Sequence, residues 1–271
     1  VRIIGDKYMR TSSLIMAGIA AFTLAAGPAQ AEALGPHPYM VAAANPHAVE
    51  AGRAVLAAGG TAADAAVAVQ SVLTLVEPQS SGIGGGAFIL YWDESTSTLH
   101  TIDGRETAPA TATPGRFLGP DGKKLGFWDS VVGGQSVGVP GTLAALDITH
   151  RLFGQKSWAS GFEQAISLAS NGFEVSPRMA KSVARAKHLK RFETARNYFF
   201  DDAGEPLGAG TQLHNQPLAE TLVTPSTKGV LTGLPGVPET DDTNISQQQL
   251  QQYWQAFGFR SPQDIKHYES L

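Results

Sequence analysis

The stretch Gly59-Gly60-Thr61-Ala62-Ala63-Asp64-Ala65-Ala66-Val67-Ala68, continued by Val76-Glu77-Pro78-Gln79-Ser80-Ser81-Gly82-Ile83-Gly84-Gly85-Gly86-Ala87-Phe88, decides the reading of this chain. Thr61 followed three residues later by Asp64 is close to a capping box, so a helix is expected from Ala62 to Leu75, with Pro78 ending it. Ala63, Ala65, Ala66, Val67, Ala68 and Val69 make that helix apolar on nearly every side, the pattern of a buried helix. The glycines then lead into a strand, Ala87 to Trp92, expected to be buried. A phosphate-binding loop needs a lysine and a hydroxyl residue opening a helix, and a dinucleotide fingerprint needs strand, glycines and then helix. The order here is helix, glycines, strand, which fits close backbone approach or exposed amides beside a ligand instead.

Working outward, Asn45-Pro46 reads as a cap with proline at the first helical position, and Gly59-Gly60 stops the helix it opens. Downstream, Thr98 to Asp103 pairs back on the first strand, giving a hairpin from Ala87 to Asp103 with Asp93 to Ser97 as its turn. Gly104-Arg105-Glu106 follows the strand end, and Ala108 to Gly126 is loop-rich. Ser136 to Gly141 reads as a strand or turn, Thr142 to Leu152 and Phe162 to Ala169 as helices. Ser176-Pro177 starts a further helix bearing Arg178, Lys181, Arg185, Lys187, Lys190 and Arg191, a solvated basic face. From Val223 to Asn244 prolines, threonines and glycines carry no periodicity, and glutamine runs follow. The expected class is α+β.

Composition bounds the chemistry. The 271 residues are 42% hydrophobic and 16% charged, a globular composition. Formal charge is 20 − 24 = −4, so no nucleic-acid partner is expected. The absence of cysteine excludes disulfides, thiolate metal sites and a cysteine nucleophile. The seven histidines are scattered without ligand spacing, and no cofactor or metal is expected. No Gly-x-Ser-x-Gly elbow occurs. Arg10, the apolar run Leu14 to Ala26, Gly27-Pro28 and Ala29-Gln30-Ala31 have the three-part layout of a cleaved secretory signal, Met9 to Ala31, and not of a stable membrane span. Residues Val1 to Tyr8 are then upstream of the start. Export to a periplasm or the extracellular space follows, and a cysteine-free chain suits it.

Arg105 stands just past a strand end. A guanidinium there can grip a substrate carboxylate with two parallel hydrogen bonds. It can equally form a structural pair with Asp103 or Glu106.

Together the two segments quoted first, Ile102-Asp103-Gly104-Arg105-Glu106-Thr107-Ala108-Pro109, Val137-Gly138-Val139-Pro140-Gly141-Thr142, Ala169-Ser170-Asn171-Gly172-Phe173 and Asn215 to Leu222 resemble the γ-glutamyltranspeptidase (glutathione hydrolase) family. The resemblance covers about residues 41 to 222 and implies an N-terminal-nucleophile hydrolase. It implies part of a four-layer αββα sandwich, incomplete in this chain. It implies a precursor that cuts itself into a large and a small subunit, the freed threonine of the small subunit being the nucleophile and its α-amine the base. The γ-glutamyl group of glutathione or another γ-glutamyl compound then passes to water or an acceptor amine. It also implies that Arg105 binds the α-carboxylate of the γ-glutamyl group.

One departure matters. The family's small subunit opens with a threonine pair followed closely by a histidine and a serine, and no such stretch occurs here. The expected layout is a signal at 9–31, a large-subunit region at 32–222 and a divergent or linker-like tail at 223–271. No catalytic residue is assigned, and the missing small subunit is the expected partner. The tail suggests a frameshift, a degenerate gene or a truncated gene model. Two other readings stay open: a cephalosporin (glutaryl) acylase relative on the same scaffold, and a non-catalytic remnant.

Overall fold

The structure is a computed structural model and describes residues 39–109 and 112–228. In chain order the elements are α1 (Pro46–Ala57), α2 (Ala62–Val76), β1 (Ala87–Asp93), β2 (Thr98–Gly104), α3 (Phe127–Val131), α4 (Thr142–Phe153), α5 (Ser160–Asn171), β3 (Phe173–Glu174), α6 (Pro177–Arg185), α7 (Glu193–Phe199), β4 (Gln212–Leu213) and α8 (Gln216–Lys228). The class is α+β, as the sequence predicts. The signal-like segment 9–31 and residues 229–271 of the tail lie outside the described residues.

Local chemistry explains the first two helices. The Asn45 side chain accepts the His47 N–H at 3.0 Å and Pro46 fills the first turn. At α2 the capping box is complete: Thr61 Oγ1 accepts the Asp64 N–H at 3.3 Å, and Asp64 Oδ2 accepts the Thr61 N–H at 2.7 Å. Helix α2 is the core element. It packs on α1 on one side and α5 on another, and α5 packs in turn on α8. Val67, Val72, Leu75, Phe162, Ala165 and Leu222 are among its buried contacts. Small residues let the helix backbones approach, and the apolar faces drop out of water together.

The hairpin forms in the expected register, from Ala87 opposite Gly104 to Asp93 opposite Thr98. Its burial differs from expectation. Ile89, Tyr91, His100 and Ile102 face α4, where Tyr91 stacks on Phe153 with ring centroids 4.0 Å apart. Phe88 and Leu90 point outward and are 65% and 68% exposed. Strand β1 is therefore half-buried, because α4 covers one face of a two-stranded sheet and no other described element covers the second.

The basic helix after Ser176 is capped as expected, with Ser176 Oγ accepting the Met179 N–H at 3.0 Å. It ends at Arg185, and Lys187–Arg191 continues as a 3₁₀ turn, so the cations do not share one helix. Helix α8 runs through Pro225 to Lys228, beyond Leu222. No helix among the described residues is long and apolar enough to cross a membrane.

Candidate functional site

The glycine loop Gly82 to Gly86, the C-terminal part of α2 and the start of α4 enclose an open cavity of about 440 Å³. Gly85 turns back on Gly82, its N–H donating to the Gly82 carbonyl at 3.2 Å. The Gly85 carbonyl then accepts the N–H groups of both Gly141 and Thr142, at 3.0 and 3.1 Å. Two of the orphan donors at the α4 N-terminus are thereby satisfied by the loop itself. A methyl group on Gly86 would stand 2.4 Å from Glu106 Oε2, so Glu106 lies directly against the glycine backbone. A methyl group on Gly141 would stand 2.2 Å from the Gly104 carbonyl oxygen. The end of β2, which delivers Arg105 and Glu106, is in this way pressed onto the start of α4. The pairing of Thr107 with Val139, at 2.9 and 3.4 Å, extends the seam.

Arg105 leaves β2 with its N–H donating to Asp103 Oδ1 at 2.9 Å. Its guanidinium Nε lies 3.4 Å from Glu106 Oε2, and its side chain is 69% exposed. Arg105 is itself not among the residues that line the cavity; it is tied to it through Glu106, which does line it, and its side chain lies mostly in water. Among the described residues, Glu106 is the one acidic side chain that lines the cavity. Sequence reasoning treated Glu106 only as a partner for Arg105; the tight glycine behind it was the available signal.

The remaining wall is polar. Gln70, Gln79, Ser80, Ser81 and Thr142 line it, and sequence reasoning singled out none of them for the site. Gln70 Nε2 donates to Ser81 Oγ at 2.8 Å. Gln79 donates to Glu77 at 2.6 Å, and Glu77 is also bonded to Arg178, whose guanidinium reaches Ser80 Oγ at 3.3 Å. Such a wall is dense in donors and acceptors: those of Gln70, Gln79, Ser80 and Ser81 are held by second partners, whereas the buried Thr142 hydroxyl has no hydrogen-bond partner among the described residues, and the whole suits a small polar ligand. Among the described residues no group of three or more His, Asp or Glu side chains could hold a metal ion.

The family model of gamma-glutamyltranspeptidase matches residues 48–233, and the chain belongs to that family. The glutathione hydrolase proenzyme of Bacillus subtilis (strain 168) is 40% identical over 190 residues, 70% of this chain and 32% of the relative. Glutathione hydrolase 5 proenzyme of Homo sapiens is 33% identical over 181 residues, 66% of this chain and 30% of the relative. The chain spans about a third of the length of the curated relatives it matches. Among solved structures, the gamma-glutamyltranspeptidase of Helicobacter pylori matches with a TM-score of 0.68 at 32% identity, covering 72% of this chain and 56% of that one. A cephalosporin acylase from Bacillus halodurans matches with a TM-score of 0.56 at 30% identity, covering 67% of this chain and 34% of that one. The described residues are accordingly part of an N-terminal-nucleophile hydrolase fold.

Proposed function

We propose that this chain supplies the large-subunit share of a γ-glutamyltransferase and glutathione hydrolase. In this reading the donor is glutathione or another γ-glutamyl compound, and Arg105 holds its α-carboxylate. The observation that supports it is the seam between the glycine loop and the Arg105-Glu106 turn, where Glu106 lines the polar cavity and Arg105 is the next residue, paired with it at 3.4 Å. The nucleophile comes from sequence that these 271 residues do not contain. A threonine hydroxyl oxygen attacks the γ-carbonyl carbon, the amide C–N bond breaks, and the hydroxyl proton passes by way of the threonine α-amine to the leaving nitrogen. Water or an acceptor amine then releases the γ-glutamyl group from the ester. Synthesis as a self-cleaving precursor belongs to the same proposal and is supported by the proenzyme names of the relatives. So does export behind the segment 9–31, supported by its charge, apolar run and Ala-Gln-Ala order.

A chimera tests this. Residues 48–222 of this chain replace the matching segment of the Bacillus subtilis relative. The chimera is expected to release p-nitroaniline from γ-glutamyl-p-nitroanilide, whereas the 271-residue chain alone gives neither turnover nor a burst. A folded chimera that ignores the γ-glutamyl substrate and hydrolyses a glutaryl amide would establish the acylase reading, which the Bacillus halodurans likeness favours. A burst from the chain alone, lost on changing one of its own threonines, would refute the proposal that the nucleophile lies elsewhere.

A further inference from the structure

Glu77 caps the C-terminus of α2 and is only 1% exposed. Its charge sits at the negative end of the helix, where the backbone dipole disfavours it. A buried carboxylate is tolerated there only when its oxygens are filled. Oε1 accepts the Asn45 side-chain amide at 3.3 Å. Oε2 accepts the Gln79 amide at 2.6 Å and the Arg178 guanidinium. The Glu77 carbonyl takes the N–H groups of Ser80 and Ser81, both at 3.0 Å. Apart from Asn45, each of these partners belongs to the cavity wall or holds it: Gln79, Ser80 and Ser81 line the cavity, and Arg178 reaches the Ser80 hydroxyl at 3.3 Å.

We infer that Glu77 is a positioning residue for this site, fixing the Gln79-Ser80-Ser81 wall through Gln79 and through Arg178. Glu77 itself does not line the cavity. Arg178 comes from α6, so the pair ties the wall to an element 101 residues away in sequence. The wall's geometry then depends on a fully paired buried charge. Removing Arg178 leaves the buried Glu77 carboxylate short of its charged partner, removing Glu77 frees the half-exposed Arg178 side chain from the wall, and removing both charges leaves two neutral amides. The consequence for γ-glutamyl substrates rests on the proposed function; the rigidity of the wall does not.

The test compares Glu77→Gln, Arg178→Gln and the double variant in the full chain by amide hydrogen exchange. Each single variant is expected to lose about tenfold or more of the protection at Ser80, Ser81 and Gly85, while Val69 and Val72 inside α2 stay within about threefold of the parent. The double variant is expected to be no worse than the worse single variant. In the active chimera each single variant raises KM for γ-glutamyl-p-nitroanilide about tenfold, with kcat changed less than about threefold. Unchanged exchange at the three wall amides overturns the inference. So do an equal loss throughout α2, additive losses in the double variant, or an unmoved KM. If Glu77→Gln does not fold, Arg178→Gln decides alone, since its side chain is half exposed. An inactive parent chimera would defeat the proposed function, and the exchange data would still decide this inference.

Discussion

Arg105 and Asp64 are two charged side chains in opposite circumstances. Arg105 is mostly in water, and its pairing with Glu106 at 3.4 Å is a surface contact, the kind that contributes about 0–1 kcal/mol. Arg105→Ala should therefore leave the melting temperature within a few degrees of the parent if the residue serves binding. In the active chimera, Arg105→Lys keeps the charge and loses the planar fork. Losing one charge-assisted hydrogen bond of about 1.5–3 kcal/mol predicts a roughly tenfold to hundredfold fall in kcat/KM. A substrate without the α-carboxylate should be nearly indifferent. Equal losses on both substrates with a lowered Tm would instead mark Arg105 as a structural partner. Asp64 is 3% exposed and accepts from Thr61, Gln155 and Lys156 N–H groups at 2.7–3.1 Å. Burial pushes its carboxyl up, but the Thr61, Gln155 and Lys156 N–H groups and the Thr61 hydroxyl outweigh this and hold it below the usual carboxylate value. The unfolded chain then binds the proton more readily, so this contribution is full above the unfolded value of about 3.9 and is lost as pH falls through the folded one. Asp64→Asn should cost about 1–3 kcal/mol near neutrality, because an amide nitrogen then meets backbone donors. Urea titrations at several pH values should show the gap between parent and variant closing below about pH 4. A gap that persists unchanged at pH 2.5 would contradict the assignment.

The seam between β2 and α4 puts a sharp demand on one glycine and none on another. A methyl group on Gly104 would stand 2.5 Å from the Ala145 Cβ and 2.8 Å from the Gly141 carbonyl oxygen, neither of which can swing aside. Gly104→Ala should destabilise by about 1–3 kcal/mol, the usual range for overpacking. Gly84, in the middle of the glycine loop, has nothing within 4 Å of such a methyl group. Gly84→Ala should stay within about 0.5 kcal/mol. Chemical denaturation of both variants checks this, and equal costs would mean the seam is looser than described. The same contrast separates what sequence reasoning could reach from what it could not. Helices α1 and α2 were legible because their caps are local: Asn45 with His47, Thr61 with Asp64. The hairpin was legible from its short apolar strand, the turn Asp93 to Ser97 and the second strand that follows. Its exposure was not, since β1 looks equally apolar whether one face or both are covered, and only the position of α4 decides. Arg105 and the glycine loop were found as separate motifs, but their meeting depends on Gly104 against Gly141. The Glu77–Arg178 pair was invisible because each half reads as an ordinary charged residue near a helix end.

At the scale of the whole molecule, the hairpin leaves an apolar surface. Phe88, Leu90 and Trp92 on β1 and Leu99 on β2 share its outward face, with Trp92 directly opposite Leu99. All four are exposed among the described residues, from 49% at Trp92 to 68% at Leu90. A contiguous apolar patch of this kind marks a surface that another layer covers. A two-stranded hairpin is also marginal by itself and leans on α4 for its other face. This chain covers 56% of the solved relative from Helicobacter pylori, which therefore has further chain beyond the part matched here. The 271-residue chain alone is therefore expected to bind a hydrophobic dye such as ANS and to self-associate with rising concentration in sedimentation experiments. Phe88→Thr combined with Leu90→Thr should suppress both behaviours, because threonine keeps the strand preference and removes the apolar area. The inner face, with Tyr91 stacked on Phe153, is untouched by these changes, so the thermal midpoint should move by no more than a few degrees. The chimera, in which the rest of the relative is present, should bind little dye even with Phe88 and Leu90 intact. A monomeric, dye-silent parent chain would show that the outward face is already covered and would reject the argument.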